Sequence, residues 1–146
     1  MFYVAANDFI ASIGIALGNQ RDGSFGCYFQ GIVTNFNYLS AIMWTTVICY
    51  QVQLAIFTNG KIIAKMWPFH VLCWLIPLVT SMLVFTTNTY GNDDDQDSWC
   101  FVTNSSQSPS WGQLFWEMGS FYLWLWICVL IINRFRDLLL LKYRTM

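Results

Sequence analysis

The sequence predicts an all-α fold, a polytopic membrane helix bundle with four transmembrane helices. The chain of 146 residues is 56% hydrophobic and only 10% charged, and its mean hydropathy is +0.46. These values are far from those of ordinary soluble domains. A spanning helix needs roughly 20 apolar residues, and charge clusters and turn residues divide the chain into four such stretches. They lie at about 2–18, 27–57, 67–89 and 113–133, within a single domain over 1–146.

The first two stretches are separated by a dense turn signal, which runs from Gly18 to Gly23. The second stretch, 27–57, has 31 residues and would form roughly 46 Å of helix, which exceeds the ~30 Å hydrocarbon core. Amide and hydroxyl side chains in its middle are costly against lipid, so we expect this helix to be surrounded by the others. These side chains are Gln30, Thr34, Asn35, Asn37, Ser40, Thr45 and Thr46.

The third and fourth stretches are recognised by proline and by aromatic residues. Pro68 suits the first turn of a helix, whereas Pro77 falls in mid-span, where neighbouring groups must satisfy the freed carbonyl. The fourth stretch is rich in aromatic residues, some expected at the membrane interface and some inside the bundle. No internal repeat is visible, which counts against a transporter.

Charge and a glycosylation sequon orient the predicted bundle. Six of the seven basic residues lie after the second stretch or after the fourth: Lys61, Lys65, Arg134, Arg136, Lys142 and Arg144. The positive-inside rule makes that side cytoplasmic. The loop 90–112 contains the sequon Asn104-Ser105-Ser106, and N-glycans are added only on the lumenal or extracellular side. Both arguments place loop 90–112 on the extracellular side of the membrane. The sequon also predicts a glycan on Asn104.

Two ionisable residues are functional candidates because each lies within or at the mouth of a predicted span. Asp8 is expected to join a buried polar network that couples helices. Glu117 lies one turn into the fourth stretch from the outside. It has two interpretations, a group that contacts a ligand or a solvated carboxylate at the interface.

The sequence argues against catalysis and against a metal site. Asp93, Asp95 and Asp97 have the alternate spacing of a calcium loop, but Ser98 and Asn104 stand where that loop needs Gly and Glu. Cysteines within the spans are expected to act as small apolar packing residues. No nucleophile with a base, phosphate loop or metal cluster is found. We therefore expect no enzyme activity, no metal or other cofactor and no nucleic-acid partner.

Three short motifs resemble one known family. They are Gly26-Cys27-Tyr28-Phe29-Gln30-Gly31 at the outer start of the second stretch, Leu72-Cys73-Trp74-Leu75-Ile76-Pro77 in the third, and Trp99-Cys100 in the outer loop. Their order resembles the slime-mould cyclic-AMP-receptor-like (class E type) seven-helix G-protein-coupled receptors. The resemblance implies that the four stretches are helices two to five of such a receptor.

The resemblance also assigns roles to residues. It implies a disulfide between Cys27 and Cys100 and structural roles for Trp74 and Pro77 in helix four. Gln30, which lies in the first motif, is a further candidate for ligand binding. No counterpart of helices one, six and seven is present, so we expect the chain to be a receptor fragment or a truncated gene product. At the inner end of the second stretch, Tyr50-Gln51-Val52-Gln53-Leu54 replaces the acidic-Arg-aromatic triplet of rhodopsin-like receptors.

The function implied is transmembrane signalling from a small extracellular ligand to a heterotrimeric G protein. The mechanism would be a population shift, in which the ligand favours one packing of the helices and the cytoplasmic face of that packing binds the G protein. The expected location is the plasma membrane, with the lipid bilayer as a further partner. The alternative is a self-contained four-span scaffold or assembly protein whose polar second helix binds partner helices.

Overall fold

A computed structural model describes residues 2–18, 20–21, 23–60, 65–87, 89–91, 99–102, 111, 115–116 and 118–144. The predicted helical fold class is confirmed by the described part of the chain. Its helices are α1 (Phe2–Ala16), α2 (Phe25–Thr58), α3 (Trp67–Thr86) and α4 (Leu123–Arg144), and a π-helical segment, Met118–Tyr122, precedes α4.

Local signals explain the ends of α1 and α2. The chain leaves α1 at Ala16, and Gly18 then adopts a φ of 71°, in the left-handed region that glycine tolerates best. Ser24 caps the start of α2, because its hydroxyl accepts a hydrogen bond from the Cys27 amide at 3.2 Å. Asn59, with a φ of 51°, ends α2 in a left-handed cap.

The helix α3 ends three residues earlier than predicted, at Thr86 rather than 89. The hydroxyls of Thr86 and Thr87 donate to the carbonyls of Leu83 and Val84, at 2.7 and 2.8 Å. These bonds satisfy the last carbonyls of the helix, as a terminus requires. Pro77 lies inside α3 and is buried.

The helix α4 differs most from the predicted span at 113–133. Regular α-helix begins at Leu123 and continues to Arg144, about 16 Å past the predicted end at the usual rise per residue. The sequence from 134 to 144 contains no Gly or Pro and several good helix formers, so nothing in it stops the helix. The boundary at 133 was drawn from hydropathy, which marks where apolar residues end but not where a helix ends.

Two of the helices, α2 and α3, have the length and apolar composition of membrane-spanning helices. The helix α1 and the segment Leu123–Arg134 are apolar but shorter. The helix α2 is central and packs against α1, α3 and α4. This arrangement agrees with the polar side chains of α2, because Gln30, Asn35 and Ser40 hydrogen-bond to groups outside that helix.

The helix α1 packs against α2 through small residues and one buried amide. Asn7, Ala11 and Gly14 form the buried face of α1, at the three- and four-residue spacing of one helix face. The Asn7 amide donates to the Ser40 hydroxyl at 3.0 Å. A Cβ atom on Gly14 would lie 3.1 Å from the Thr34 hydroxyl oxygen, so glycine permits this close approach.

An antiparallel hairpin packs against α2 at the end of the helices that was predicted to be outer. Its strands, β1 (Tyr90–Gly91) and β2 (Phe101–Val102), pair Tyr90 with Val102 and Gly91 with Phe101. Tyr90 and Val102 are buried with Val84, and both strands contact α2. The hairpin lies in the predicted outer loop 90–112, for which the sequence indicated no regular structure.

Candidate functional site

A disulfide fastens the outer hairpin to α2. Cys27, in the first turn of α2, is bonded to Cys100, which precedes β2, and 73 positions separate them in sequence. Both cysteines are fully buried. The bond therefore holds the outer loop against the start of the central helix, as the resemblance implied.

Gln30 lies one turn below the disulfide, and it is fully buried. Its side-chain oxygen accepts a hydrogen bond from the Cys100 amide at 2.8 Å. Its side-chain nitrogen donates to the carbonyl oxygens of Gly14 at 2.8 Å and Gly18 at 3.2 Å. One side chain thus joins α2, the end of α1 and the outer hairpin. The protein thus engages both ends of the Gln30 amide, and the candidate role of Gln30 in ligand binding stays a prediction.

Tyr90 inserts from β1 into the bundle, where its hydroxyl donates to the Ser81 carbonyl oxygen at 3.2 Å. The Asn35 amide donates to the Tyr90 hydroxyl at 3.3 Å and to the Ser81 hydroxyl at 3.2 Å. Burial raises the pKa of Tyr90 from 10.0 to about 12, although these hydrogen bonds oppose the rise. The phenol is therefore neutral, and its contribution to stability is lost only as pH rises through the interval from 10 to about 12.

The ring of Tyr90 rests directly on the backbone of α2. A Cβ atom on Gly31 would lie 2.5 Å from Tyr90 Cδ1, closer than any real contact of that kind. Glycine at this position is therefore required by the tyrosine above it. The motif Gln30-Gly31 provides both the amide that holds Cys100 and the space that Tyr90 fills. We call Cys27, Gln30, Gly31, Tyr90 and Cys100 the outer clasp.

The structure does not place Asp8 in a buried network within this chain. Its side chain lies on the exposed face of α1, whereas the neighbouring Asn7 is buried and bonded to Ser40. Because successive residues point about 100° apart on a helix, only one of this pair can face α2. An amide is also the less costly group to bury, since it carries no charge.

Trp74 and Pro77, the structural candidates in α3, lie on its bundle-facing side. Trp74 stacks on Phe36 of α2 with ring centroids 5.9 Å apart, and it packs against a core formed by Trp44, Val47 and Cys73. These contacts join α3 to the middle of α2. They fit packing roles for both residues.

An open cavity of about 810 Å³ lies beside the outer end of α4. Its lining is almost wholly apolar: Trp111, Phe115, Met118, Gly119, Leu123 and Trp126. Glu117 lies between two described residues, Trp116 and Met118, but is itself outside the described residues, as is Asn104. Within the described ranges, no cluster of three or more His, Cys, Asp or Glu side chains could hold a metal ion.

The chain matches a protein-family model over nearly all of its length. A model described as slime mold cyclic AMP receptor matches residues 2–137, which include α1, α2, α3, the outer clasp and most of α4. The chain belongs to this receptor family. The family resemblance carried by the three sequence motifs is confirmed.

Three relatives are similar to most of this chain. Cyclic AMP receptor-like protein A of Dictyostelium discoideum is 30% identical over 105 residues, 71% of this chain and 27% of that protein. Cyclic AMP receptor-like protein B of the same organism is 27% identical over 146 residues, 92% of this chain and 32% of that protein. The human protein G-protein coupled receptor 157 is 28% identical over 117 residues, 73% of this chain and 35% of that protein. The chain spans about a third of the length of these receptors.

Several residues of the site were missed by sequence reasoning. Nothing in the sequence marked Tyr90 as a residue of the site, because a single tyrosine at the start of a polar loop is common. Asn35 belonged to the polar set of the second stretch, but its partners Ser81 and Tyr90 lie 46 and 55 positions away. Such pairings depend on how the helices pack, and no local pattern encodes them.

Proposed function

We propose that this chain forms helices two to five of a seven-helix membrane receptor, which passes a signal from a small extracellular ligand to a heterotrimeric G protein. The observation that carries this proposal is the family match over residues 2–137. Receptors are found among its relatives in both slime mould and human. This is also the basis for expecting that the protein is not an enzyme.

The outer clasp supports the proposal on physical grounds. A ligand acts by shifting an equilibrium between packings, which requires an outer surface connected to the helices. The disulfide and Gln30 connect the outer hairpin to α2, and α2 contacts α1, α3 and α4. A ligand that displaces the hairpin would therefore act on the central helix. The cavity at Trp111, Phe115 and Trp126 is a nearby surface for an apolar ligand group, and Glu117 next to it in sequence remains a candidate contact.

The first test concerns topology. We propose that loop 90–112 and the outer clasp are extracellular and that Lys65 and the residues after Arg134 are cytoplasmic. In a background lacking Cys49, Cys73 and Cys128, we expect a membrane-impermeant maleimide to label Trp111→Cys in intact cells. Lys65→Cys should be labelled only after permeabilisation. Both positions are exposed in the fold. A difference in labelling between the two variants therefore reports the side of the membrane and not burial of the cysteine.

Glycosylation gives an independent measurement of the same topology. We expect a glycan that is removed by Asn104→Gln and is unaffected by Ser24→Ala, a change at an outer serine outside any sequon. Labelling of Lys65→Cys in intact cells would contradict the proposed orientation. A Trp111→Cys variant that is labelled only after permeabilisation would contradict it equally.

The second test distinguishes a receptor from a four-span scaffold. Cyclic AMP receptor 1 of Dictyostelium discoideum is 25% identical to this chain over 129 residues, 31% of that protein. In a chimaera, this chain replaces the matching segment of that receptor. We expect the chimaera to reach the cell surface and to raise basal nucleotide exchange on a heterotrimeric G protein above that of membranes lacking it.

The parental receptor without agonist and the 146 residues expressed alone are the controls for this test. The chain alone should leave exchange at background, because the transducing surface of a seven-helix receptor is built from several inner helix ends. A chimaera that reaches the surface but stays at background, while the parental receptor exceeds it, would favour the scaffold.

A further inference from the structure

A second cavity lies in the inner half of the bundle, away from the outer clasp. It has a volume of about 420 Å³ and lies between the second half of α2, the first two turns of α3 and the first half of α4. We call it the inner groove. Its lining includes Val47, Cys73, Trp124, Ile127, Cys128 and Ile131, and its surface is wholly apolar. The volume is within the usual range of single-ligand sites.

An apolar groove suits a hydrocarbon chain, and the two polar residues that line this one, Thr46 and Tyr50, present no polar surface to it. Proteins usually fix a polar ligand through a few placed polar groups, and the lining surface of the inner groove offers none. The same groove lies between helices that the proposed function places in a bilayer, where acyl chains are the most abundant apolar ligand. The inference therefore rests on the proposed membrane location.

A charged side chain marks the inner end of the groove. Ile127 and Ile131 of α4 line it, and Arg134 follows Ile127 by seven residues. At about 100° per residue, seven residues return to within about 20° of the same direction, so Arg134 continues the groove-lining face toward the cytoplasm. Arg134 is exposed and makes no ion pair with any described residue.

The neighbouring Arg136 shows a contrasting arrangement. It lies nine residues from Ile127, on the opposite side of α4. It also pairs with Asp137 at 3.4 Å. Of these two arginines of α4, only Arg134 therefore lies on the groove-lining face. The proposed topology puts Arg134 at the inner membrane surface, where anionic lipid headgroups collect. Arginine binds the phosphate oxygens of such headgroups.

We propose that the inner groove binds one anionic phospholipid of the cytoplasmic leaflet, with an acyl chain between α2, α3 and α4 and its phosphate against Arg134. A lipid held there would contact three helices at once. It would stabilise the arrangement in which α4 packs against α2 and α3, because any ligand favours the state to which it binds. The site is separate from the outer surface proposed for the extracellular ligand.

The test is native mass spectrometry of the purified chain titrated with phosphatidylserine or with phosphatidylcholine of the same acyl composition. We expect phosphatidylserine to be retained in preference. Arg134→Gln should weaken phosphatidylserine binding about fivefold, the effect of one basic residue near an anionic surface, and should leave phosphatidylcholine binding unchanged. Arg136→Gln is the matched control, and we expect no change from it.

A second pair of variants tests the groove itself. Ile127→Trp should fill the groove and weaken the binding of both lipids. Val129→Trp makes a similar change on the opposite side of α4 and should leave both unchanged. Ile127 and Val129 are each 37% exposed, so the two substitutions are matched in burial. The proposal is overturned if the two arginine variants have equal effects, or if the two tryptophan variants do.

The failure of this proposal is distinguishable from failure of the proposed function. Liposome flotation of the chain is measured first. A chain that does not float with liposomes overturns both proposals. A chain that floats but shows no preference for phosphatidylserine, or no difference between its matched variants, overturns the lipid site alone.

Discussion

Removing the disulfide is expected to cost about 4 kcal/mol of unfolding free energy. The double variant Cys27→Ser/Cys100→Ser opens a loop in which the cysteines are 73 positions apart, and the chain-entropy relation gives about 4 kcal/mol for a loop of that size. The double variant avoids leaving a single unpaired thiol. Unfolding by denaturant in detergent micelles, followed by tryptophan fluorescence, measures the change.

Two controls accompany the disulfide experiment. Cys49→Ser makes the same chemical change at a free cysteine of α2 and should shift the unfolding free energy by much less. Reduction of the wild-type protein should reproduce the loss, whereas reduction of the double variant should have no further effect. A double variant as stable as Cys49→Ser would show that the bond does not stabilise the fold.

Replacing Gln30 is expected to have the second largest effect, about 3 kcal/mol. Gln30→Met keeps the approximate size of the side chain but removes its hydrogen bonds to Cys100, Gly14 and Gly18. A buried group left without a partner costs about 1–3 kcal/mol, and the Cys100 amide is such a group. We expect hydrogen exchange at the Cys100 amide to accelerate, because its acceptor is lost.

Gln53→Met is the matched control for this variant. Gln53 lies on the same helix, and its buried side-chain oxygen has no hydrogen-bond partner within the described part of the chain. Its replacement should therefore be close to neutral. Equal destabilisation by the two substitutions would contradict the connecting role of Gln30.

The two effects should also be coupled, since the disulfide and Gln30 hold the same segment. Once Cys27–Cys100 is absent, the hairpin can leave α2 and the bond from the Cys100 amide is already weakened. The cost of Gln30→Met should then fall by about 1 kcal/mol, within the range of coupling between neighbouring sites. Strict additivity would mean that the two contacts act independently.

The amino-acid sequence determined the helical class, the positions of the first three helices and the family. Hydropathy and turn residues locate α1, α2 and α3 to within three residues at each end, because turns and caps are local signals. The order of Cys27, Trp74, Pro77 and Cys100 indicated the receptor family. Polar residues in the middle of the second stretch also indicated a central helix, since such groups must be satisfied within the bundle.

Only the tertiary structure decided what the polar side chains do. Gln30 joins α1, α2 and the hairpin, and Asn7 rather than Asp8 faces α2. A sequence shows that a residue is polar and lies within a span, but not which neighbour its side chain meets. The partners of Gln30 lie 12, 16 and 70 positions away. Contacts over such separations form only when helices and loop are packed together, and for that reason they depend on the whole fold.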